Sequence, residues 1–334
     1  MKVCVIGAGA IGGFIGTKLA AAGRCEVAAL ARGATLAALR EHGWRLHQAG
    51  AMLHAPVYAA ANAEALGVQD LVVIAVKGPA LTQVACDIAP LLGPGTQVMP
   101  AMNGVPWWFG RGVARLEEAP LHSVDPGGTI AAAIAFERVI GCVVHASTFT
   151  SEPGLVEHKM GQGLIIGEPG GGDSERVRTL GELLAHAGFE TTVSVDVRKD
   201  IWYKLWGNMT MNPVSALTGA TTDRVLDDPL VRGFCIAAMH EAARVGERVG
   251  CEISQTPQDR HLVTRKLGAF KTSMLQDVEA GRAPEIDALV GAVVELARLT
   301  DTPTPHIDTA YALGKLLAQT MAQERGYVRL SPLA

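Results

Sequence analysis

The chain has 334 residues, 49% of them hydrophobic and 19% charged, with a formal net charge of −4 at pH 7. At roughly 150 residues per domain this length suggests about two domains, and the apolar content excludes disorder as the main state. The acidic balance lacks the basic stripe that a phosphate backbone demands, so nucleic acid is not an expected partner, whereas a small anionic ligand needs only one local cationic pocket.

The first half alternates short apolar runs with helical segments. Val3–Ile6 reads as a strand ending at Gly7, and residues 11–22 read as a helix with Gly23 just past its end. Glu26–Ala31, Leu71–Val76 and Thr96–Met102 read as further strands. These runs are apolar throughout rather than alternating, which is the mark of a parallel sheet covered on both faces by helices. Between residues 121 and 195, alternating stretches such as GCVVHAST, LVEHKM and LIIGE are separated by Gly and Pro. They are expected to form the far, antiparallel part of the same sheet. Pro169–Arg176 reads as a surface turn leading into a helix. From Val197 onward the strand signals stop, and helical patterns cover 198–217, 228–250, 258–280, 284–299 and 306–323. The expected architecture is therefore α/β: an N-terminal Rossmann-type doubly wound domain (1–196) followed by an all-α domain (197–334).

The six cysteines show no C-x-x-C spacing, so buried thiols in a reducing compartment are expected rather than zinc or disulfides. The apolar run at the N-terminus is broken by Gly7, Gly9, Gly12 and Gly13, and no apolar stretch has membrane-spanning length. A cytoplasmic protein without a membrane partner is the expectation. The long apolar helices of the second half leave open both packing against one another and packing in a homodimer.

The loop Gly7-Ala8-Gly9-Ala10-Ile11-Gly12 follows a strand and opens a helix, the context that turns a weak G-x-G-x-x-G pattern into a dinucleotide fingerprint. The first glycine makes the turn, the second admits a pyrophosphate and the third lets helix and strand approach. Where an NAD site carries an acid about 20 residues further on, this chain has Arg32. A guanidinium suits a 2′-phosphate, so NADP(H) is the expected cofactor; Arg32 ending a strand in solvent is the plainer alternative. Lys77 and Asn103-Gly104 follow the third and fourth strands, where ligands bind in open α/β sheets, although both pairs are also ordinary turn sequences.

In the second half, Lys204, Asn208 and Asn212 recur every four residues among Ile201, Trp202, Leu205, Trp206, Met209 and Met211. On a helix they form one drifting stripe roughly 12 Å long. It reads as a polar wall with a proton-donating ammonium, or as a solvated helix face. Pro213 should free a carbonyl beside it. Ser273-Met274-Leu275-Gln276-Asp277 and Glu285-Ile286-Asp287 form a second constellation, where an acid in a first helical turn needs only the helix dipole to explain it. His240-Glu241 fails the H-E-x-x-H zinc pattern because Arg244 stands in place of the second His, and no metal is expected. Trp107, Trp108 and Phe109 read first as core.

Together the glycine loop, Arg32, Lys77, Asn103-Gly104, the Lys204–Asn208–Asn212–Pro213 stripe and the Ser273 and Glu285 segments resemble the ketopantoate reductase (2-dehydropantoate 2-reductase) family over nearly the whole chain. The resemblance implies NADPH-dependent reduction of 2-dehydropantoate, a small 2-oxo acid, to (R)-pantoate for pantothenate biosynthesis. It implies Lys204 as proton donor, with Glu285 near the nicotinamide and the lysine. By the same likeness Asn103, Asn208, Asn212 and Ser273 contact the substrate. Two departures concern the substrate: Thr222 stands nearest to where the family has a further Asn, and the stretch from Pro106 to about Val139 is expanded. The rival readings are reduction of another branched 2-oxo acid, and a non-catalytic NADP(H)-binding sensor.

Overall fold

The structure is a computed structural model and describes residues 1–113, 116 and 120–324. The remaining part of the Pro106–Val139 expansion and the last ten residues of the expected second domain lie outside the described residues. The chain forms two compact units, Met1–Gly112 with Asp125–Asp200, and Val113–Val124 with Ile201 onward.

In chain order the first unit contains β1 (Lys2–Ile6), α1 (Ala10–Ala22), β2 (Glu26–Leu30), α2 (Gly33–His42), β3 (Trp44–Gln48), β4 (Ala51–Ala55), β5 (Tyr58–Ala60) and β6 (Gln69–Ile74). It continues with α3 (Leu81–Asp87), β7 (Leu92–Pro100), α4 (Thr129–Ala133), β8 (Gly141–Glu152), β9 (Leu155–Gly167), α5 (Glu175–His186) and β10 (Glu190–Ser194). Five of these strands make a parallel sheet in the order β5-β2-β1-β6-β7. Val3, Cys4, Val5 and Leu71–Ile74 are fully buried, as strands covered on both faces must be. The winding direction reverses between β1 and β6, and in open α/β sheets the carboxyl ends of the strands at such a reversal are where ligands bind.

The strands of 121–195 do not extend this sheet. They build a second one, β10-β9-β3-β4, with β8 on the other side of β9. β9 runs antiparallel to β8 but parallel to both β3 and β10. Its completion depends on the hairpin of β3 and β4, short half-buried strands that carry little sequence signal. The chain enters β8 directly from the edge of β7, where the Ile140 amide donates to the Val98 carbonyl at 2.9 Å, which explains why the two sheets read as one.

Helix α1 packs between these sheets, and its glycines are the reason it can. A Cβ on Gly12 would stand 2.1 Å from the Gly7 carbonyl oxygen, one on Gly13 2.6 Å from Val156, and one on Gly16 2.6 Å from the Trp44 ring. Further along α1, buried Lys18 donates to Gln162 Oε1 at 2.7 Å and to the Gly188 carbonyl at 2.8 Å, and desolvation pulls its pKa below the ordinary lysine value.

The second unit is helical: α6 (Val197–Thr218, begun in the first unit), α7 (Thr222–Asp227), α8 (Pro229–Arg248), α9 (Pro257–Arg265), α10 (Ser273–Glu279), α11 (Ala292–Leu299) and α12 (Pro305–Gln323). A π-helical turn over Asp287–Gly291 leads into α11. The helix expected over 258–280 is two helices, because the chain turns left-handed at Gly268 (φ +62°) and restarts under the Thr272 cap. Pro229, Pro257 and Pro305 stand in first turns, where a missing N–H costs nothing. α6 continues through Pro213. Among the described residues no helix is long and apolar enough to cross a membrane. Trp107, Trp108 and Phe109 are buried and serve the core, as do the thiols of Cys4, Cys142, Cys235 and Cys251, whereas Cys25 is half-buried and Cys86 exposed, against the expectation of buried thiols.

Candidate active site

The glycine loop leaves β1 for α1 with Gly7 at φ +87°, a conformation L side chains rarely adopt. A Cβ there would also meet Val76 at 2.7 Å. A Cβ on Gly9, by contrast, would have no atom within 4 Å: this is the open side of the turn, over the start of α1. That helix has no side-chain cap and no acid in its first turn. Its leading N–H groups and positive dipole end suit a phosphate, and the open face of Gly9 lets one approach the backbone. These residues therefore fit a dinucleotide.

The other first-unit candidates stand at the same edge of the sheet. Arg32 follows β2, caps α2 with its backbone and pairs with Asp87 at 2.9 Å, both side chains being exposed. Gln83 also donates to the Asp87 carboxylate. Lys77 follows β6 and is exposed; half-buried Asn103 follows β7, just before Gly104 at φ +91°. Parallel pairing fixes this arrangement, since Ile6 aligns with Leu30 and Ile74, and Ile74 with Pro100. The loop, Arg32, Lys77 and Asn103 thus share the carboxyl edge of one sheet.

In the second unit the Lys204–Asn208–Asn212 stripe lies on α6, whose other faces are locked. Trp202, Leu205, Trp206 and Met209 are buried, and Trp206 Nε1 donates to the Met239 carbonyl at 2.7 Å. The stripe is not a solvated face: Lys204 and Asn208 are half-buried and Asn212 is only 4% exposed. Asn212 Nδ2 donates to Ser273 Oγ at 3.5 Å, joining two motifs remote in sequence. Ser273 is the first residue of α10, and the preceding Thr272 caps that helix by accepting from the Leu275 amide. Glu285 is half-buried and stands just ahead of the π-helical turn rather than within the first turn. Asp287 anchors that turn, accepting from Tyr311 Oη at 2.8 Å and from Lys315 Nζ at 3.0 Å. Burial and the neighbouring carboxylate push the Tyr311 phenol up to about 12.

Thr222, at the departure from the family pattern, is buried and donates its hydroxyl to the Gly268 carbonyl at 2.9 Å. Glu241 of the failed zinc pattern is a buried helix cap. Its carboxylate accepts from the amides of His306 and Ile307 at the start of α12 and pairs with His306 Nδ1 at 2.7 Å.

Spacing alone overlooks Arg260 of α9. Its guanidinium lies 5.2 Å from the centroid of the Tyr203 ring and against Gly207, between Lys204 and Asn208 in the chain. The signal for it is Gly207 itself, a side-chain-free position in an otherwise bulky helix.

Similarity to known proteins agrees with this architecture. The family described as "Ketopantoate reductase PanE/ApbA" matches residues 3–171, and "Ketopantoate reductase PanE/ApbA C terminal" matches 196–318. The chain is similar to a 2-dehydropantoate 2-reductase of Mesorhizobium japonicum, 48% identical over 95% of this chain and 98% of the relative. It is also similar to a solved structure from Ralstonia solanacearum MolK2, a candidate ketopantoate reductase, with 52% identity, a TM-score of 0.92 and coverage of 96% and 98%. The fold alone is shared with a D-mandelate dehydrogenase solved with NADH and anilino(oxo)acetate, at 20% identity, a TM-score of 0.83 and coverage of 96% and 99%. The chain belongs to the ketopantoate reductase family, a family of oxidoreductases.

Proposed function

We propose that the protein reduces 2-dehydropantoate to (R)-pantoate with NADPH, a step of pantothenate biosynthesis, with Lys204 as proton donor. The observation that carries this reading is the α6 stripe. It sets a half-buried lysine and two amides at one-turn intervals, and its last amide meets Ser273. Bound NADPH supplies the hydride for C2 of the substrate. The oxygen at C2 gains negative charge as the carbonyl is reduced. The Lys204 ammonium stabilises that charge and then donates its proton. Glu285 would orient the ammonium beside a bound nicotinamide, while Asn103, Asn208, Asn212 and Ser273 would hold the polar groups of the substrate. Gly7, Ala8, Gly9, Ala10, Ile11 and Gly12 cradle the pyrophosphate; Arg32 and Lys77 complete the cofactor site, with Arg32 receiving the 2′-phosphate.

Thr222 favours a second reading in which the substrate is another branched 2-oxo acid. Its hydroxyl is committed to the Gly268 carbonyl, so it does not replace the amide the family has nearby. A panel of 2-oxo acids, followed at the nicotinamide absorbance with NADPH, separates the readings. The expected result is the highest kcat/KM with 2-dehydropantoate. A different branched acid ranking first would install the second reading. Tight NADPH binding without turnover of any acid would overturn both.

A further inference from the structure

Arg260 rests on the Tyr203 ring, but that contact leaves its charge without a counter-anion. Its Nε and Nη2 come to 3.0 Å from where a Cβ on Gly207 would stand, so the guanidinium takes the place of a side chain in α6. Glycine inside a helix costs up to about 1 kcal/mol relative to alanine, and here it opens the groove that the guanidinium fills. No carboxylate among the described residues pairs with this cation, and its Nε is buried without an acceptor. Desolvation pulls its pKa below the ordinary arginine value. Other arginines of the same unit differ: Arg265 meets Asp227 at 2.7 Å and Arg282 meets Asp277 at 2.9 Å. A charge withdrawn from water is costly unless an opposite charge meets it. Position 207 is one turn beyond Lys204 and adjacent to Asn208. Residues at that spacing are neighbours on a helix surface, about 5–6 Å apart.

We propose that Arg260 is a substrate-binding residue that receives the carboxylate of the 2-oxo acid through its planar fork, and that Gly207 admits it to the Lys204 stripe. This inference rests on the reading of Lys204 as the proton donor. The carboxylate and the C2 carbonyl of a 2-oxo acid are directly bonded, so an anion anchored one turn from Lys204 sets that carbonyl within reach of the ammonium. A guanidinium suits the task because its parallel N–H groups match both carboxylate oxygens.

The test compares wild type, Arg260→Ala, Arg260→Lys and Gly207→Val on a charged ligand and its uncharged counterpart. KM is measured for 2-dehydropantoate, and inhibition constants for pantoate and for pantolactone, which lacks the free carboxylate. Arg260→Ala is expected to raise KM and the pantoate constant on the order of 10–100-fold, with kcat and the pantolactone constant within about threefold. Arg260→Lys recovers part of the loss. Gly207→Val, whose side chain displaces the guanidinium, reproduces the acid-selective loss and adds little to Arg260→Ala. Unchanged acid constants overturn the proposal, and so does equal weakening of acid and lactone, the mark of a merely structural role. NADPH affinity and Tm measured on each variant identify misfolding, for which Arg260→Lys is the substitute. Failure of wild type to turn over any 2-oxo acid sinks the proposed function instead. Arg260 is then judged by calorimetric titration with pantoate, where no binding, or equal affinity in wild type and Arg260→Ala, overturns it.

Discussion

At the end of β2, Arg32 would give up only a surface ion pair to take up the proposed 2′-phosphate. Its partner Asp87 is 2.9 Å away, and both side chains are exposed. Such surface pairs are worth roughly 0–1 kcal/mol, so exchanging Asp87 for a 2′-phosphate costs little. Arg32→Ala is expected to raise KM for NADPH on the order of 10–100-fold while leaving that for NADH within about threefold, as loss of a charge-assisted hydrogen bond to one phosphate would do. Equal effects on the two cofactors, measured by initial rates, would remove Arg32 from that role. Arg32 and the Lys204 stripe are legible in the sequence because each depends on local spacing, from a glycine loop or along one helix. Arg260 is not legible in that way. Its meaning arises from a contact with Gly207 on another helix, and an arginine on amphipathic α9 reads as solvated until that contact is known.

Among the elements, α1 carries the most constraint per residue. Its fit between two sheets leaves no room for a methyl at Gly12 or Gly16. Gly16→Ala, whose methyl would press on the Trp44 ring, is expected to cost about 1–3 kcal/mol in urea unfolding and to leave cofactor affinity intact. Gly12→Ala is expected to cost at least as much and also to weaken NADPH binding, because the methyl drives against the Gly7 carbonyl and distorts the loop. The N-terminus of α12 is held differently, by the buried Glu241 carboxylate. Glu241→Gln keeps the shape and removes the charge, and a loss of about 1–2 kcal/mol is expected in the same experiment. Four strands of the parallel sheet and the Gly23 end of α1 could be read from apolar runs and a glycine position, whereas β5, only three residues long, carries no such run. The second sheet could not be assigned from the chain. Its strands alternate as edge strands of any sheet do, and β9 recruits β3 from a segment more than a hundred residues earlier. The break after α9 was hidden by the continuing helical period, with Gly268 as its one local sign.

For the whole molecule, His261 sets a pH response. The ring is 6% exposed, neither nitrogen has a partner among the described residues, and burial with the nearby Arg232, Arg265 and Arg260 holds its pKa below the ordinary 6.5. Below pH 6.5 the unfolded chain therefore binds a proton that the folded chain refuses. Stability contributed by the neutral ring is complete above that pH and falls as the solution is acidified toward the depressed folded value. Tm should decline less steeply with acidification in His261→Leu than in wild type, and identical slopes would assign the acid lability to other groups. In the proposed reaction the ammonium on α6 protonates the reduced 2-oxo acid. The measurement that tests it most directly is kcat of Lys204→Ala with saturating NADPH and 2-dehydropantoate, beside an NADPH dissociation constant showing the cofactor still bound. A fall of roughly 10²-fold or more is expected, in the range that a general acid contributes. Turnover close to that of wild type, with the cofactor equally well bound, would contradict it.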